Sequence, residues 1–203
     1  MTRADSKRES WNRRYAESDR IPAPAPSRFL VGEVEGLVPA RALDLACGSG
    51  RNAVWLAEQG WRVTAVDFAE VGLHVARTLA AARSASVDWL EADVTEWVPP
   101  ARAYELVCVL YMQLPAAERR LVLGRAAEAV APGGTMLVLG HDLLNLTEGW
   151  AGPKYPEVLF TPDDVVREID GLRVERATRV KRPVEDGGVV HEAIDALVRA
   201  RRA

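Results

Sequence analysis

The sequence predicts an α/β fold in which a mostly parallel β-sheet is covered by helices on both faces. The first observation is that apolar runs of strand length alternate with helical segments from residue 41 onward, a pattern typical of parallel sheets buried on both faces. The second is composition: 48 % of the 203 residues are apolar and 27 % are charged, as in an ordinary globular domain.

The predicted strands are short runs rich in Val, Leu and Thr. They cover residues 41–47, 62–67, 87–93, 104–111 and 135–140. Residues 132–134 (PGG), just before the last of these strands, predict a tight turn. Two further runs, 172–184 and 191–199, are expected to close the sheet as an antiparallel pair joined through residues 186–188 (DGG).

Helices are predicted between the strands, where apolar residues recur with the helical period of 3.6 residues. They cover residues 27–35, 52–59, 69–83 and 115–130. Pro115 suits the first turn of the last of them, and Thr161 followed by Pro162 predicts another helix start. Residues 141–160 show no periodicity and are expected to form a long, functional loop.

A glycine-rich loop follows the first strand and opens the next helix. Residues 48–53 (GSGRNA) fit the G-x-G-x-x-A pattern of dinucleotide-binding loops. Asp67 ends the next strand, about 20 residues later, where an acid binds a ribose in such proteins. These residues alone leave a nicotinamide- or flavin-dependent oxidoreductase open.

Two further aspartates favour a different cofactor. Asp44 lies inside the first strand, where a carboxylate repels a pyrophosphate and attracts a positively charged head group. Asp93 ends the third strand, where it is able to accept a hydrogen bond from an exocyclic amine. Both positions favour a cofactor with a positive head group and an exocyclic amine.

Five segments, in order along the chain, resemble the motifs of class I S-adenosylmethionine-dependent methyltransferases. They are ALDLACGSGRNAVWLAEQG (42–60), VTAVDFA (63–69), LEADV (90–94), YELVCVLYMQL (104–114) and APGGTMLVLG (131–140). The pair Trp11 and Tyr15 and residues 159–162 (LFTP) also resemble the small bacterial tellurite-resistance and thiopurine-type methyltransferases. The resemblance implies a Rossmann-like sheet of seven strands, S-adenosyl-L-methionine as cofactor and S-adenosyl-L-homocysteine as product.

The resemblance also implies a set of cofactor-binding residues near the carboxyl ends of the strands. Asp44 would orient the methionine end, Asp67 would accept hydrogen bonds from the ribose hydroxyls, and Asp93 would contact the adenine amine. The expected set is Trp11, Tyr15, Asp44, Ala46, Gly48, Gly50, Asn52, Asp67, Phe68, Asp93, Val94 and Leu110.

Several of these side chains have a structural alternative. Asp67 would instead be the N-cap of the following helix. Phe68 stacks on the adenine or packs in the core. Trp11 and Tyr15 lie four residues apart on one helix face, and they form a lid over the cofactor or simply pack that helix on the sheet.

His141 and Tyr111 are the candidate catalytic residues. His141 follows the fifth predicted strand and would be the general base for an acceptor that must lose a proton, because histidine titrates near neutral pH. Tyr111 ends the fourth strand and would face the methyl-bearing sulfur. The alternatives are a strand-end histidine that only solvates the loop and a tyrosine of the core. The acceptor pocket is expected to use Trp150, Lys154, Tyr155 and Phe160.

Charge and cysteine content narrow the function classes. The net charge of −3 argues against a nucleic-acid partner, and no apolar run approaches the ~20 residues of a membrane span. The 2 cysteines are not clustered, so we expect neither a disulfide scaffold nor a metal site. The N-terminus is polar and unlike a signal peptide. We expect a cytoplasmic protein, monomeric or homodimeric.

A single methyltransferase domain is expected over residues 1–203, with 1–40 as an N-terminal cap, 41–142 as the cofactor core and 143–203 as the acceptor loop and closing strands. A cap and a loop suit a small-molecule acceptor, methylated by in-line displacement, better than a macromolecule. Two alternatives stay open: an NAD(P)-dependent oxidoreductase that uses the same loop, and a cofactor-binding protein without turnover.

Overall fold

The computed structural model describes residues 3–18 and 25–203, with side chains over 7–17 and 25–203. Residues 19–24 of the expected cap lie outside the described residues. The chain forms two compact units, Met1–Val98 and Pro99–Ala203. The strands are β1 (Arg41–Leu45), β2 (Arg62–Asp67), β3 (Val87–Glu91), β4 (Tyr104–Leu110), β5 (Val130–His141), β6 (Arg173–Asp186) and β7 (Val189–Arg201). The helices are α1 (Arg3–Ser18), α2 (Arg28–Val34), α3 (Arg51–Glu58), α4 (Glu70–Ala82), α5 (Ala116–Ala129) and α6 (Pro162–Val166).

The strand directions confirm the predicted sheet class. β1, β2 and β3 are parallel in the first unit, and β4 and β5 are parallel in the second. β7 pairs antiparallel with both β5 and β6. The result is a 7-stranded, mostly parallel sheet with helices around it and a closing antiparallel pair.

In the first unit the strand order is β3-β2-β1. The register places Asp44 opposite Ala65 and Leu45 opposite Val66. Parallel pairing brings the carboxyl ends of the three strands to one edge, so the loops that follow them emerge together. Leu56 on α3 and Leu73 on α4 are fully buried, which anchors the helices into which these loops lead.

In the second unit the strand order is β4-β5-β7-β6. His141 lies directly opposite Asp195 in the antiparallel β5–β7 pair, two positions beyond the pair of Leu139 and Leu197. Side chains of directly opposed residues lie on the same face of an antiparallel pair. The register alone therefore places His141 and Asp195 side by side.

The predicted turn at residues 132–134 lies inside β5. Tyr104 pairs with Val130 and Leu106 pairs with Thr135, so the residues between Val130 and Thr135 bulge away from β4. A Cβ at Gly134 would lie 2.9 Å from the Ala131 carbonyl oxygen, closer than side-chain carbons approach. Glycine is required there, and β5 begins earlier than the sequence predicts.

The segment predicted as a loop contains two short 3₁₀ helices, Leu143–Leu146 and Pro156–Val158. Asp142 caps the first of them, because its carboxylate accepts a hydrogen bond from the Leu144 N–H. The predicted helix start at Thr161 is confirmed. Its hydroxyl accepts from the Asp164 N–H, and the Asp164 carboxylate accepts from the Thr161 N–H at 2.8 Å, which forms a capping box.

A buried ion pair ties α5 to the turn after α6. The Arg119 guanidinium donates two hydrogen bonds of 2.9 Å to the Glu168 carboxylate. The two residues are 4 % and 6 % exposed. Arg119 also lies over the ring of Phe160, 5.1 Å from its centroid. This pair joins elements 49 residues apart in the sequence.

Within the described ranges, no helix combines the length and the apolar character that crossing a bilayer requires. The same residues contain no cluster of three or more His, Cys, Asp or Glu side chains arranged to hold a metal ion.

Candidate cofactor and acceptor sites

The loop after β1 has an unusual backbone. Ala46, Gly48 and Gly50 all have positive φ, at 57°, 57° and 76°, a conformation that glycine adopts without strain. A Cβ at Gly50 would lie 2.6 Å from the Cβ of Ala76 and 2.7 Å from the Trp89 ring. Residues with positive φ turn successive backbone N–H groups toward one side, which suits a polar ligand.

Asp67 holds this loop from the end of β2. Its Oδ2 accepts a hydrogen bond from the Gly48 N–H and its Oδ1 accepts from the Ala69 N–H, both at 2.8 Å. Burial raises the pKa of Asp67, and these N–H donors oppose the shift. Each carboxylate oxygen accepts more than one hydrogen bond, so Asp67 is able to support the loop and still accept a ribose diol.

Asp44 is the most unusual side chain of the first unit. It is 1 % exposed, and its Oδ2 has no hydrogen-bond partner among the described residues. Burial, reinforced by the charge of Asp67, raises the pKa of Asp44 to about 7. A buried carboxylate without a donor is costly. A cationic ligand would supply the missing partner, so the site fits S-adenosylmethionine, which carries an ammonium and a sulfonium group.

The other expected cofactor residues of the first unit differ in their surroundings. Asp93 accepts hydrogen bonds from the Thr95 N–H and hydroxyl, both at its Oδ1. Val94 is buried and Phe68 is half-buried. The Asn52 side-chain oxygen accepts from the Ser27 N–H at 2.9 Å, so this amide ties the start of α2 to α3. The sequence does not reveal that use of Asn52.

Trp11 and Tyr15 stack on one face of α1, with ring centroids 5.6 Å apart. The Tyr15 hydroxyl oxygen lies 2.6 Å from the position that a Cβ of Gly48 would occupy, and its ring lies 2.9 Å from that of Gly72. Asn12 accepts a hydrogen bond from the Val71 N–H. Helix α1 therefore packs on the glycine-rich loop and α4, an arrangement that agrees with both the lid and the packing interpretation.

The second unit contains a buried cluster around Asp195, which is 0 % exposed. Tyr111, with a φ of 58°, donates its hydroxyl to Asp195 Oδ2 at 2.8 Å. Arg182 Nε donates to the same oxygen at 2.9 Å. His141 Nδ1 lies 3.3 Å from the other oxygen, Oδ1. We call Tyr111, His141, Arg182 and Asp195 the Asp195 cluster.

Tyr111 and His141 are expected from the sequence, whereas Asp195 and Arg182 are not. A signal was present, because Asp195 is a lone carboxylate within the apolar run 193–198 (AIDALV). A charge in a buried strand requires partners. Leu110, which ends β4 and was expected to contact the cofactor, is 5 % exposed.

The residues expected to form the acceptor pocket, in the loop after β5, lie in different surroundings from one another. Trp150 stacks on His191, with ring centroids 3.9 Å apart, and Tyr155 is 66 % exposed. Phe160 is 4 % exposed, and its ring occupies the space that a Cβ at Gly140 would fill. Phe160 therefore packs the interior of the second unit.

Comparison with known proteins gives the same class as the sequence motifs. Residues 42–134 match the family model of the methyltransferase domain. A demethylmenaquinone methyltransferase of Thermus thermophilus is 38 % identical over 103 residues, covering 50 % of this chain and 47 % of that protein. A trans-aconitate 2-methyltransferase of Sinorhizobium medicae is 35 % identical over 124 residues, covering 59 % and 46 %. The chain thus spans about half the length of these two curated relatives.

The fold agrees with that match. The N-methyltransferase NodS of Bradyrhizobium japonicum, solved with S-adenosyl-L-homocysteine, matches with a TM-score of 0.72 at 15 % identity, covering 96 % of this chain and 97 % of that chain. The fold is therefore the Rossmann-like methyltransferase fold. Together with the match of residues 42–134, just under half of the chain, to the methyltransferase-domain family, this fold indicates S-adenosylmethionine-dependent methyl transfer.

Replacing Asp67 by asparagine is expected to raise the dissociation constant for S-adenosylmethionine roughly tenfold to a hundredfold, because a hydrogen bond to a charged group contributes about 1.5–3 kcal/mol. Isothermal titration measures the change. Asp88→Asn, which alters an exposed acid on the neighbouring strand β3, is the matched control. Equal affinities for the Asp67 variant and the wild type would remove Asp67 from the cofactor site.

Proposed function

We propose that this chain transfers a methyl group from S-adenosylmethionine to a small-molecule acceptor. The observation that carries the proposal is Asp44, a buried carboxylate whose Oδ2 lacks a donor among the described residues. A pyrophosphate would be repelled by this charge, whereas the cationic end of S-adenosylmethionine would be attracted. The loop held by Asp67 and the acid at Asp93 support the same assignment.

The chain's own residues would bind and orient the cofactor and the acceptor, and one of them would accept a proton. When bound, S-adenosylmethionine supplies a methyl group on a positively charged sulfur, and this sulfur keeps the bonding electron pair and leaves as a neutral thioether. Asp44 would hold the cationic end, and Asp67 and Asp93 would hold the ribose and the adenine. Because the leaving group is good, positioning and exclusion of water supply much of the catalysis. His141 would accept the proton of a protic acceptor.

A small acceptor is favoured over a macromolecule by three properties. The net charge of −3 does not suit a polyanionic partner. The segment between β5 and α6 carries Trp150 and Tyr155 with 42 % and 66 % exposure, as suits an apolar or planar molecule. The names of the two similar proteins refer to demethylmenaquinone and trans-aconitate, which are small molecules.

Titration of the wild-type chain with S-adenosylmethionine, S-adenosylhomocysteine and NAD tests the cofactor. We expect binding of the first two. Micromolar affinity for NAD with none for S-adenosylmethionine would refute the proposal in favour of the oxidoreductase alternative. A screen for S-adenosylhomocysteine formation with phenols, thiols, amines, halides and chalcogen oxyanions then tests turnover. Cofactor binding without turnover on any acceptor would favour the cofactor-binding alternative.

Substituting His141 by alanine is expected to lower turnover of a protic acceptor by roughly 10²–10⁴-fold, the usual contribution of a general base. Affinity for S-adenosylmethionine should stay unchanged. Initial rates and titration measure the two effects. His74→Ala is the control, because His74 is exposed in the middle of α4. Wild-type turnover in the His141 variant would reduce this histidine to a structural residue.

A further inference from the structure

We propose that Asp195 is a positioning residue for His141 and that the acceptor is a protic nucleophile, with an ionisable O–H, S–H or N–H group. In this proposal the Asp195 carboxylate fixes the tautomer and the orientation of the His141 ring and stabilises the imidazolium that forms. The inference rests on the proposed function, because it assigns the proton-accepting part of the same reaction.

The first support is the strand register. His141 and Asp195 are directly opposed in the β5–β7 pair, so the backbone hydrogen bonds of two central strands hold their side chains on one face. No loop movement is needed to bring them together. Residues on regular elements are held in more precise positions than residues on loops.

The second support is the division of partners between the two oxygens of Asp195. Tyr111 and Arg182 both donate to Oδ2, at 2.8 and 2.9 Å. Oδ1 lies 3.3 Å from His141 Nδ1, and neither of these two buried atoms has a hydrogen-bond partner in the described part of the chain, so a small rotation of the ring would satisfy both. Hydrogen bonds between catalytic groups are often long before substrate binds.

The third support is the charge state of Asp195. Burial raises the pKa of Asp195, but the adjacent His141 ring, the charge of Arg182 and the hydrogen bonds from Arg182 and Tyr111 outweigh it and hold the pKa below its ordinary value. The carboxylate is therefore ionised at neutral pH. The Tyr111 pKa is raised by burial and by the Asp195 charge, so Tyr111 is a neutral donor.

Among the described residues, few other groups lie near enough to His141 to interact with its Nδ1. A Cβ at Gly152 would lie 3.0 Å from His141 Nδ1, so backbone closes this side of the ring. The Tyr111 ring lies 5.1 Å away, centroid to centroid. The next acid along the chain, Asp142, is paired with Arg179 at 3.0 Å. Asp195 is therefore the carboxylate that faces Nδ1.

The chemistry follows from this arrangement. With its proton on Nδ1, directed at Asp195, His141 has an unprotonated Nε2 that accepts a proton. The acceptor's proton moves to Nε2, and the electron pair that held it becomes the lone pair with which the acceptor atom takes the methyl group. The positive charge on the ring is balanced by Asp195. A nucleophile without a proton to lose, such as a halide, gains nothing from this cluster.

Nitrogen NMR of the wild-type chain tests the tautomer without any substitution. We expect the neutral His141 ring to carry its proton on Nδ1, with the signal assigned by its loss in His141→Gln. A neutral ring protonated on Nε2 would overturn the proposal. This readout needs neither cofactor nor acceptor, so its failure is distinguishable from failure of S-adenosylmethionine binding, which would overturn the proposed function instead.

Asp195→Asn tests the consequence for turnover. We expect kcat for a phenol or thiol acceptor to fall ~10–100-fold, as for other residues that orient a functional histidine. The acceptor KM and the affinity for S-adenosylmethionine should be unchanged. The acidic limb of the pH–rate profile, where the rate rises as His141 loses its proton, should move to lower pH, because loss of the negative charge destabilises the imidazolium.

Glu192→Gln is the control, since it neutralises an exposed acid on the same strand that pairs with Lys181. It should leave kcat, the pH profile and the His141 tautomer at wild-type values. An Asp195 variant with the wild-type tautomer and pH profile would overturn the proposal. Equal rate loss for phenol, thiol and halide acceptors would also overturn it.

Discussion

In urea unfolding of the ligand-free protein, the wild type is expected to lose about 3 kcal/mol more stability between pH 5 and pH 8 than Asp44→Asn loses. Burial raises the pKa of Asp44 from 3.8 to about 7. The folded state therefore binds a proton that the unfolded state has released, and stability falls as the pH rises from about 4 to about 7. Asparagine does not ionise, so the variant lacks this loss.

The same substitution is expected to weaken S-adenosylmethionine binding at pH 8 roughly tenfold to a hundredfold. In the wild type, affinity should increase between pH 6 and pH 8 as Asp44 ionises, and the Asp44→Asn variant should lack this increase. Asp88→Asn, an exposed acid in the same unit, should behave as the wild type in both experiments. An unfolding profile of Asp44→Asn that parallels the wild type would contradict the role of this buried carboxylate.

Replacing Glu168 by alanine is expected to destabilise the protein by about 3–5 kcal/mol, because it leaves the buried Arg119 guanidinium without its partner. Both hydrogen bonds of 2.9 Å are lost, and the charge stays in a region where it is 4 % exposed. Denaturant unfolding at neutral pH measures the loss.

Two comparisons make this result specific. Glu192→Ala breaks the exposed pair with Lys181 and should cost less than about 1 kcal/mol. The double variant Arg119→Met, Glu168→Leu removes both charges and should recover most of the stability lost by Glu168→Ala. A loss in Glu168→Ala no larger than that of Glu192→Ala would show that Arg119 finds another partner or water.

The part of the fold that follows from local pattern was predictable. Strands β1 to β4 are short apolar runs that end near turn residues. The capping box is formed within four consecutive residues, Thr161 to Asp164. The expected cofactor residues Asp44, Asp67 and Asp93 lie at or just after the carboxyl ends of β1, β2 and β3, because parallel strands bring these ends to one edge. Asp44 stood out from the sequence because a carboxylate inside an apolar strand is expensive.

The features that were not predicted depend on distant parts of the chain. The early start of β5 reflects the pairing of Val130 with Tyr104 across a bulge, a contact with a distant part of the chain. Asp195 meets His141 through a pairing register that no short segment specifies. Arg119 lies on α5 and Glu168 lies in the turn after α6, and a charged residue in either place is ordinarily exposed.

The register of β5 and β7 has a consequence for how this protein could change its acceptor. His141 and Asp195 are held by the ladder of backbone hydrogen bonds between two central strands, whereas the segment from Leu143 to Phe160 carries its own short helices and exposed aromatic rings. Under the proposed mechanism, the proton-accepting pair and the acceptor-contacting segment are encoded separately. Substitutions and length changes in that segment would alter the choice of acceptor and leave the positions of His141 and Asp195 unchanged.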